Sequence, residues 1–133
     1  MTEETINTIL TTALNEAKAL KIPITVSIVD LGGHLIALQR MEGCSFFGIE
    51  VSRKKAVTAA QLKTPTHILS DITQKIPELQ KAFDKNADIL TIAGGFPIFQ
   101  NGQVIGGLGI SGGDFNQDKL IAEKAVAAGS QHT

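Results

Sequence analysis

The sequence predicts an α+β domain, in which helices pack on a largely antiparallel sheet of five strands. The composition supports one hydrophobic core, since the 133 residues are 43% hydrophobic and 19% charged. Stretches rich in β-branched residues are joined by hairpin turns. Segments with helical periodicity separate and flank them, in the order α, ββ, α with two short helices, βββ, α. We therefore expect a single domain over residues 1–133.

The first predicted helix has the clearest periodicity. Apolar residues recur from Ile6 to Leu20 at the spacing that forms one stripe, and Pro23 prevents the helix from continuing. Helix formers, capping residues or a proline suited to a first turn mark four more helices. These helices cover Phe46–Leu62, Thr66–Thr73, Glu78–Lys85 and a segment that begins at Asp114 or Asn116 and ends at Gly129. The second helix is apolar on two sides, so we expect it to lie between the sheet and another helix or subunit.

Five segments have the composition of strands, with turn residues between them. Asp30 to His34 supplies a tight turn in the first group, and Gly94-Gly95 supplies a bend in the second. Asn101-Gly102 is a strong hairpin signal, because both central residues of a type I′ turn need positive φ. The predicted strands are Ile24–Val29, Leu35–Met41, Ile89–Ala93, Phe96–Gln100 and Val104–Ser111.

Charge and composition exclude several classes of function. The net charge is −1 and no basic stripe with interleaved aromatics occurs, so we expect no nucleic-acid partner. Cys44 is the only cysteine, which excludes an intrachain disulfide, and no Cys/His cluster has metal-site spacing. The acidic N-terminus is unlike a signal peptide, and no apolar run approaches the roughly 20 residues that span a bilayer. These features predict a cytoplasmic protein that is not inserted in a membrane.

The stretch "GGLGISGG" contains the spacing of a dinucleotide-binding loop, G-x-G-x-x-G, at Gly107, Gly109 and Gly112. Such a loop needs a further strand with an acidic residue about 20 positions later, but only one helix and a short tail follow. The dinucleotide interpretation therefore fails. In a strand, Gly107 and Gly109 leave one face almost without side chains, so either a small-residue helix near Ala59 and Ala60 or a flat ligand approaches it.

Lys55, Thr58 and Arg40 are candidate ligand-binding residues. Lys55 lies in an apolar stripe, where its ammonium group needs an anion; the alternatives are an ion pair with Asp30 or Asp118 and a bound ligand. Thr58 lies one turn further and adds a hydroxyl group. Arg40 is either a charge at the sheet edge or a fork that binds a carboxylate.

Two glycine-containing segments complete the predicted site. Gly94, Gly95, Phe96 and Pro97 offer backbone N–H groups beside an aromatic ring, although they also suit a simple bend. Ser111, Gly112 and Gly113 precede a helix, whose free N–H groups bind an anion unless the helix is capped by its own side chains. Asp118, in the first turn of that helix, faces the sheet and needs a partner.

Several of these motifs together resemble the GlcG/HbpS family, which includes the C-terminal domain of PduO-type corrinoid adenosyltransferases and is often labelled haem-binding or haem-degrading. The similarity is carried by "VSIVDLGGHLIALQRMEG", "KKAVTAA", "TPT", "GGFPI", "GGLGISGG" and "QD", in that order along almost the whole chain. The resemblance implies a profilin-like α/β/α domain with a five-stranded antiparallel sheet and helices on both faces. It also implies a homodimer or a higher homo-oligomer.

These observations predict a small-molecule-binding protein whose pocket lies between the Lys55 helix, the Gly94–Pro97 bend and the Ser111–Asp118 helix start. The resemblance suggests haem or a related tetrapyrrole as the ligand. The alternative is an enzyme that acts on a carboxylate-bearing metabolite with Lys55 or Asp118 as acid or base. A third interpretation is a structural subunit whose glycine strip packs against a neighbouring chain. The histidines, His34, His67 and His132, are expected to be solvated rather than to bind a metal.

Overall fold

The computed structural model describes residues 1–130 as five helices and four strands. In chain order these are α1 (Glu3–Leu20), β1 (Thr25–Asp30), β2 (Leu35–Arg40), α2 (Phe47–Leu62), α3 (Thr66–Lys75), α4 (Pro77–Asp84), β3 (Gly95–Gln100), β4 (Gln103–Ser111) and α5 (Phe115–Ser130). The α+β class and all five predicted helices are confirmed. The prediction for His132 lies outside the described residues.

The four strands form one antiparallel sheet in the order β2-β1-β4-β3. Two hairpins make its halves, and the pairing of β1 with β4 joins them. In the second hairpin Asn101 and Gly102 have φ values of 52° and 77°, as the predicted type I′ turn requires. The strands at the two edges are therefore β2 and β3.

The sheet has four strands rather than the predicted five, because Ile89–Ala93 is not a strand. Its backbone bonds to a side chain instead of to a neighbouring strand. The N–H group of Leu90 donates to Thr58 Oγ1 at 2.8 Å, and the Thr58 hydroxyl lies 3.2 Å from the carbonyl oxygen of Asp88. Apolar composition alone does not distinguish a strand from a buried connection of this kind.

Helices cover both faces of the sheet, as the resemblance implies. On one face α1 and α5 pack together over the main core, which includes Ile9, Val26, Leu108 and Ile121. On the other face α2 packs on β4, β1 and β3 through a smaller cluster around Val29 and three α2 residues. Each fully buried leucine or isoleucine stabilises such a core by about 1.5–3 kcal/mol.

The glycine face of β4 lies directly against the backbone of α2. A Cβ atom at Gly107 would collide with the carbonyl oxygen of Ala56, and one at Gly109 with the carbonyl oxygen of Ser52. The helix therefore fills the strip, and of the two alternatives left open by the sequence the close-packed helix is correct. A flat ligand has no room on this face.

Candidate functional site

The most buried charged groups of the predicted site are Lys55 and Asp118, whose side chains are 1% and 3% exposed. Lys55 lies on α2 and Asp118 on α5, so the two residues come from opposite helical layers. Their Nζ and Oδ2 atoms are 3.1 Å apart. Of the two anions that the sequence offered to Lys55, the partner is Asp118, whereas Asp30 contacts His34.

Backbone groups complete the coordination of this ion pair. Lys55 Nζ donates to the carbonyl oxygen of Ile110 at 2.8 Å, and the N–H group of Gly113 donates to Asp118 Oδ1 at 2.8 Å. Burial lowers the pKa of Lys55, and the Asp118 carboxylate opposes this shift. Burial likewise raises the pKa of Asp118, opposed by Lys55 and the Gly113 N–H group. The pair is a closed internal contact, since each charge is already bound by protein atoms.

Gly94 and Gly95, where the bend meets β3, allow other parts of the chain to approach closely. A Cβ atom at Gly94 would lie 2.9 Å from Lys55 Nζ and 2.6 Å from the carbonyl oxygen of Ile110. At Gly95 it would lie 2.5 Å from the carbonyl oxygen of Lys55. The N–H group of Gly95 is bound by Thr66 Oγ1 at 2.8 Å. The bend is therefore glycine-rich because α2 and α3 approach it closely.

Phe96 and Pro97 follow the bend on opposite faces of β3. Phe96 is half-buried against the main core, and its ring centroid lies 5.4 Å from that of His67 on α3. Pro97 is buried and pairs with Gly107. Thr58 is also buried, with its hydroxyl committed to backbone groups. Pro97 and Thr58 therefore lie within the packed chain, and Phe96 packs against the core and His67.

The start of α5 is capped by its own side chains. Asp114 and Gln117 exchange hydrogen bonds, since each backbone N–H group donates to the other side chain, at 2.9 and 2.8 Å. Gly112 has a φ of 133°, and a Cβ atom there would collide with the carbonyl oxygen of Pro23. Ser111 is partly buried. The capping alternative therefore accounts for these N–H groups.

The structure thus brings together five of the predicted site residues: Lys55, Gly94, Gly95, Gly113 and Asp118. The space between them is filled by the ion pair, and residues 1–130 leave no pocket there or elsewhere. The elements meet as predicted, but the expected open cavity is missing. A ligand-binding role for these residues stays a prediction.

Arg40 lies apart from that cluster, at the end of the edge strand β2. Its Nη1 donates to the carbonyl oxygen of Cys44 at 3.0 Å, and its guanidinium carbon lies 4.7 Å from the centre of the Phe46 ring. Phe46 and Phe47 are 76% and 77% exposed. Neither phenylalanine was predicted from the sequence as a site residue. One signal was present: Phe46 lies one helical turn before Glu50, on the polar side of α2.

The surroundings of His67 differ from the solvated position that the sequence predicted. Its Nδ1 is buried and has no hydrogen-bond partner within the described chain. Burial lowers the pKa of His67, as does Lys119, whereas Asp71 and Glu123 act in the opposite direction. No group of three or more His, Cys, Asp or Glu residues among positions 1–130 is placed to hold a metal ion. In the same range no helix is long and apolar enough to cross a membrane.

Comparison with known proteins identifies close similarity to characterised and uncharacterised bacterial chains. The chain is 40% identical over 117 residues to the corrinoid adenosyltransferase PduO of Salmonella typhimurium, which covers 87% of this chain and 35% of PduO. It is also 40% identical over 114 residues to an uncharacterized 15.0 kDa protein from the dhaT-dhaS intergenic region of Citrobacter freundii, covering 84% and 80% of the two chains. The chain thus spans about a third of PduO.

Structural comparison gives the same result. A crystal structure of a complex of PduOC with haem superposes with a TM-score of 0.88 at 36% identity, over 96% of this chain and 94% of that one. The family of haem-degrading HbpS-like proteins matches residues 1–127. The chain therefore belongs to the HbpS-like family.

Proposed function

We propose that this protein binds haem or a related tetrapyrrole as its small-molecule ligand. The observation that carries the proposal is the similarity to PduOC, a relative with 36% identity over nearly its full length that was crystallised in complex with haem. The proposal concerns binding by this domain alone. Adenosyl transfer to corrinoids belongs to the whole of PduO, of which this chain matches 35%.

The packing of the chain favours a ligand on the outer surface rather than in the interior. Both faces of the sheet are covered by helices, and residues 1–130 enclose no pocket. A flat macrocycle needs exposed apolar or aromatic side chains to stack on, and a cation for its carboxylates. The outer surface supplies both at the start of α2, where Phe46 and Phe47 are more than half exposed and the cation Arg40 lies beside Phe46. These groups fit the ring and carboxylates of haem, whose iron would supply any redox chemistry.

The enzymatic alternative, with Lys55 or Asp118 as acid or base, has no part in this proposal. A catalytic acid or base must come within hydrogen-bond distance of its substrate. Both side chains are at most 3% exposed, and both are bound by each other and by backbone groups. We assign the pair to holding α2 and α5 together.

The sequence-based predictions on partners are kept as part of this proposal. The protein is expected to act as a homodimer or a higher homo-oligomer in the cytoplasm, with no nucleic-acid partner. The net charge of −1 supports the last point, because it gives no long-range attraction to phosphate backbones.

Titration of the purified protein with hemin tests the proposal. We expect a shift of the Soret band that saturates at a defined stoichiometry, and a rise of the melting temperature with hemin concentration, because only the folded state binds. An unrelated protein of similar size without a tetrapyrrole ligand is the control for non-specific adsorption. A spectrum that changes no more than with this control, together with an unchanged melting temperature, would overturn the proposal.

A further inference from the structure

The strongest unexplained surface of the chain surrounds Arg40. We propose that Arg40, Phe46 and Phe47 form the docking surface for a flat, carboxylate-bearing aromatic ring, a tetrapyrrole of the haem class. This inference rests on the proposed function and assigns the surface that carries it. It differs from the pocket predicted between Lys55, the Gly94–Pro97 bend and α5, which the protein's own atoms fill.

The exposure of the two phenylalanines supports a docking surface. Phe46 and Phe47 are adjacent at the start of α2 and are 76% and 77% exposed. Leaving both side chains in water forgoes burial that stabilises a phenylalanine by about 1.5–3 kcal/mol. Neither side chain belongs to the two core clusters of the described residues. Their aromatic faces are therefore available to a ligand.

The Arg40 side chain is oriented but has no carboxylate partner. Its guanidinium is held in place by the Cys44 carbonyl oxygen at 3.0 Å and by the Phe46 ring at 4.7 Å. No ion pair in residues 1–130 includes Arg40. Because the guanidinium has five N–H donors and one described hydrogen bond, it presents an oriented fork to a carboxylate. The charge on this surface thus complements an acid.

The position of β2 gives a ligand access to this surface. Leu38 and Arg40 pair with Ser27 and Thr25 of β1, whose hydroxyls contact residues of the α2 side of the sheet, so Leu38 and Arg40 lie on that same side. Over β2 the cover by α2 is slight, since α2 packs mainly on the other three strands. Leu35, further along β2, is half exposed. The slight cover of β2 therefore leaves its Arg40 end open to a ligand.

This surface binds the ring and its carboxylates without a ligand to the iron. Cys44, the nearest thiol in sequence, is buried, with Sγ 3.2 Å from Thr25 Oγ1. Nearby, Met41 Sδ accepts a hydrogen bond from the N–H group of Ile24 at 3.4 Å. We therefore expect iron-free protoporphyrin to bind with an affinity within about threefold of that of hemin.

A double substitution, Phe46→Ala with Phe47→Ala, tests the aromatic part of the surface. Each lost aromatic contact weakens stacking, and together they should weaken binding of hemin and protoporphyrin by about tenfold or more. The chain has no Trp or Tyr, so its own fluorescence cannot report binding. Binding is instead measured by the Soret band of hemin and the emission of protoporphyrin. Phe115→Ala, at another exposed phenylalanine, is the matched control and should bind as the wild type does.

Three outcomes of this experiment are decisive. Wild-type protein that binds neither porphyrin overturns the proposed function, and this inference with it. Binding by the wild type that the double substitution leaves unchanged overturns this inference alone. If the double substitution instead changes the oligomeric state in sedimentation while porphyrin binding is retained, the surface is a contact between copies of the chain, which also overturns the inference.

Substitution of Arg40 tests the carboxylate part independently. The wild type should prefer deuteroporphyrin to its dimethyl ester by about five- to tenfold, both measured in the same dilute detergent, because esterification removes the charge that Arg40 binds. Arg40→Gln should remove this preference, whereas Lys81→Gln, at an exposed position on α4, should keep it. If Arg40→Gln merely disturbed the fold, the affinities for the acid and for the ester would fall by the same factor. An acid-to-ester preference that persists in Arg40→Gln contradicts the proposal.

Discussion

The two edges of the sheet differ in what covers them. At the β3 edge, α3 lies close to the strand: Thr66 binds the N–H group of Gly95 at 2.8 Å, and His67 packs on Phe96. At the β2 edge, Arg40 and its neighbour Phe46 lie at the surface. Both strands are terminal members of the same antiparallel sheet, yet the helices of the chain cover β3 far more than β2.

The two edges show that different sequence signals indicate internal packing and a binding surface. Glycines at 94 and 95 allow other parts of the chain to approach, so a lack of side chains here means internal contact. At the β2 edge the opposite occurs, because Phe46 and Phe47 offer more apolar area than the fold covers. An exposed surplus of aromatic side chains is the better indicator of a partner.

The largest effect is expected from breaking the Lys55–Asp118 pair beside the covered edge. Lys55→Met leaves a buried carboxylate without its cation, and should lower the free energy of unfolding by about 3–5 kcal/mol. Denaturation in urea, followed by circular dichroism, measures this. The more exposed pair of Lys124 and Glu16 is the comparison, since Lys124→Met should cost about 1 kcal/mol or less.

The double variant Lys55→Met with Asp118→Leu separates charge from packing. It should be more stable than Lys55→Met alone, because no unpaired charge stays buried. Suppose instead that the free energy of unfolding fell by the sum of the losses in Lys55→Met and in Asp118→Leu. The ion pair would then not be the interaction that joins the two layers.

A smaller effect is expected from Gly95→Ala at the covered edge. The new methyl group would lie 2.5 Å from the carbonyl oxygen of Lys55 and 2.6 Å from Thr66 Cγ2, so α2 or α3 must move. We expect a loss of about 1–3 kcal/mol in the free energy of unfolding. Gly32→Ala is the control, because its methyl group would meet mainly the exposed side chain of His34. Equal stability of the two variants would show that neither α2 nor α3 packs closely on Gly95.

Local signals in the sequence were sufficient for most of the fold. The Asn101-Gly102 turn, the proline that starts α4 and the stripe of α1 each depend on residues close in the chain, and each is confirmed. The prediction of a strand at Ile89–Ala93 was wrong because the hydrogen-bond partner of its backbone, the Thr58 hydroxyl, lies 32 residues earlier. No local pattern reports a hydrogen bond over that distance.

The candidate site was harder to predict, for the same physical reason. From the sequence, Lys55 and Asp118 each needed a partner, and an ion pair between them was one of the predicted alternatives. It could not show that the pair would fill the space between α2, the glycine bend and α5. Phe46 was missed because its exposure depends on how far α2 extends over β2, which is a property of the packed sheet.

The pH dependence of stability tests the role of His67 at the covered edge. Because burial lowers its pKa below the ordinary value of 6.5, the folded protein holds His67 neutral where the unfolded chain binds a proton. Stability should therefore fall as the pH drops from neutral through 6.5 towards the lowered pKa, with no further loss from this group below it. His67→Phe should flatten this slope. The same slope in His67→Phe as in the wild type would contradict this role.

The smallest effect on stability is expected at the uncovered edge, from Phe46→Ala with Phe47→Ala. Substitution of exposed side chains usually changes the free energy of unfolding by about 0.5 kcal/mol or less. Phe46 also stacks under Arg40, and the loss of that exposed contact adds about 0.5–1 kcal/mol at most. Urea denaturation at two protein concentrations, compared with Phe115→Ala, measures the change. A loss of several kcal/mol that depends on concentration would mean that a second chain covers these rings, and the two edges would then be equally closed in the assembled protein.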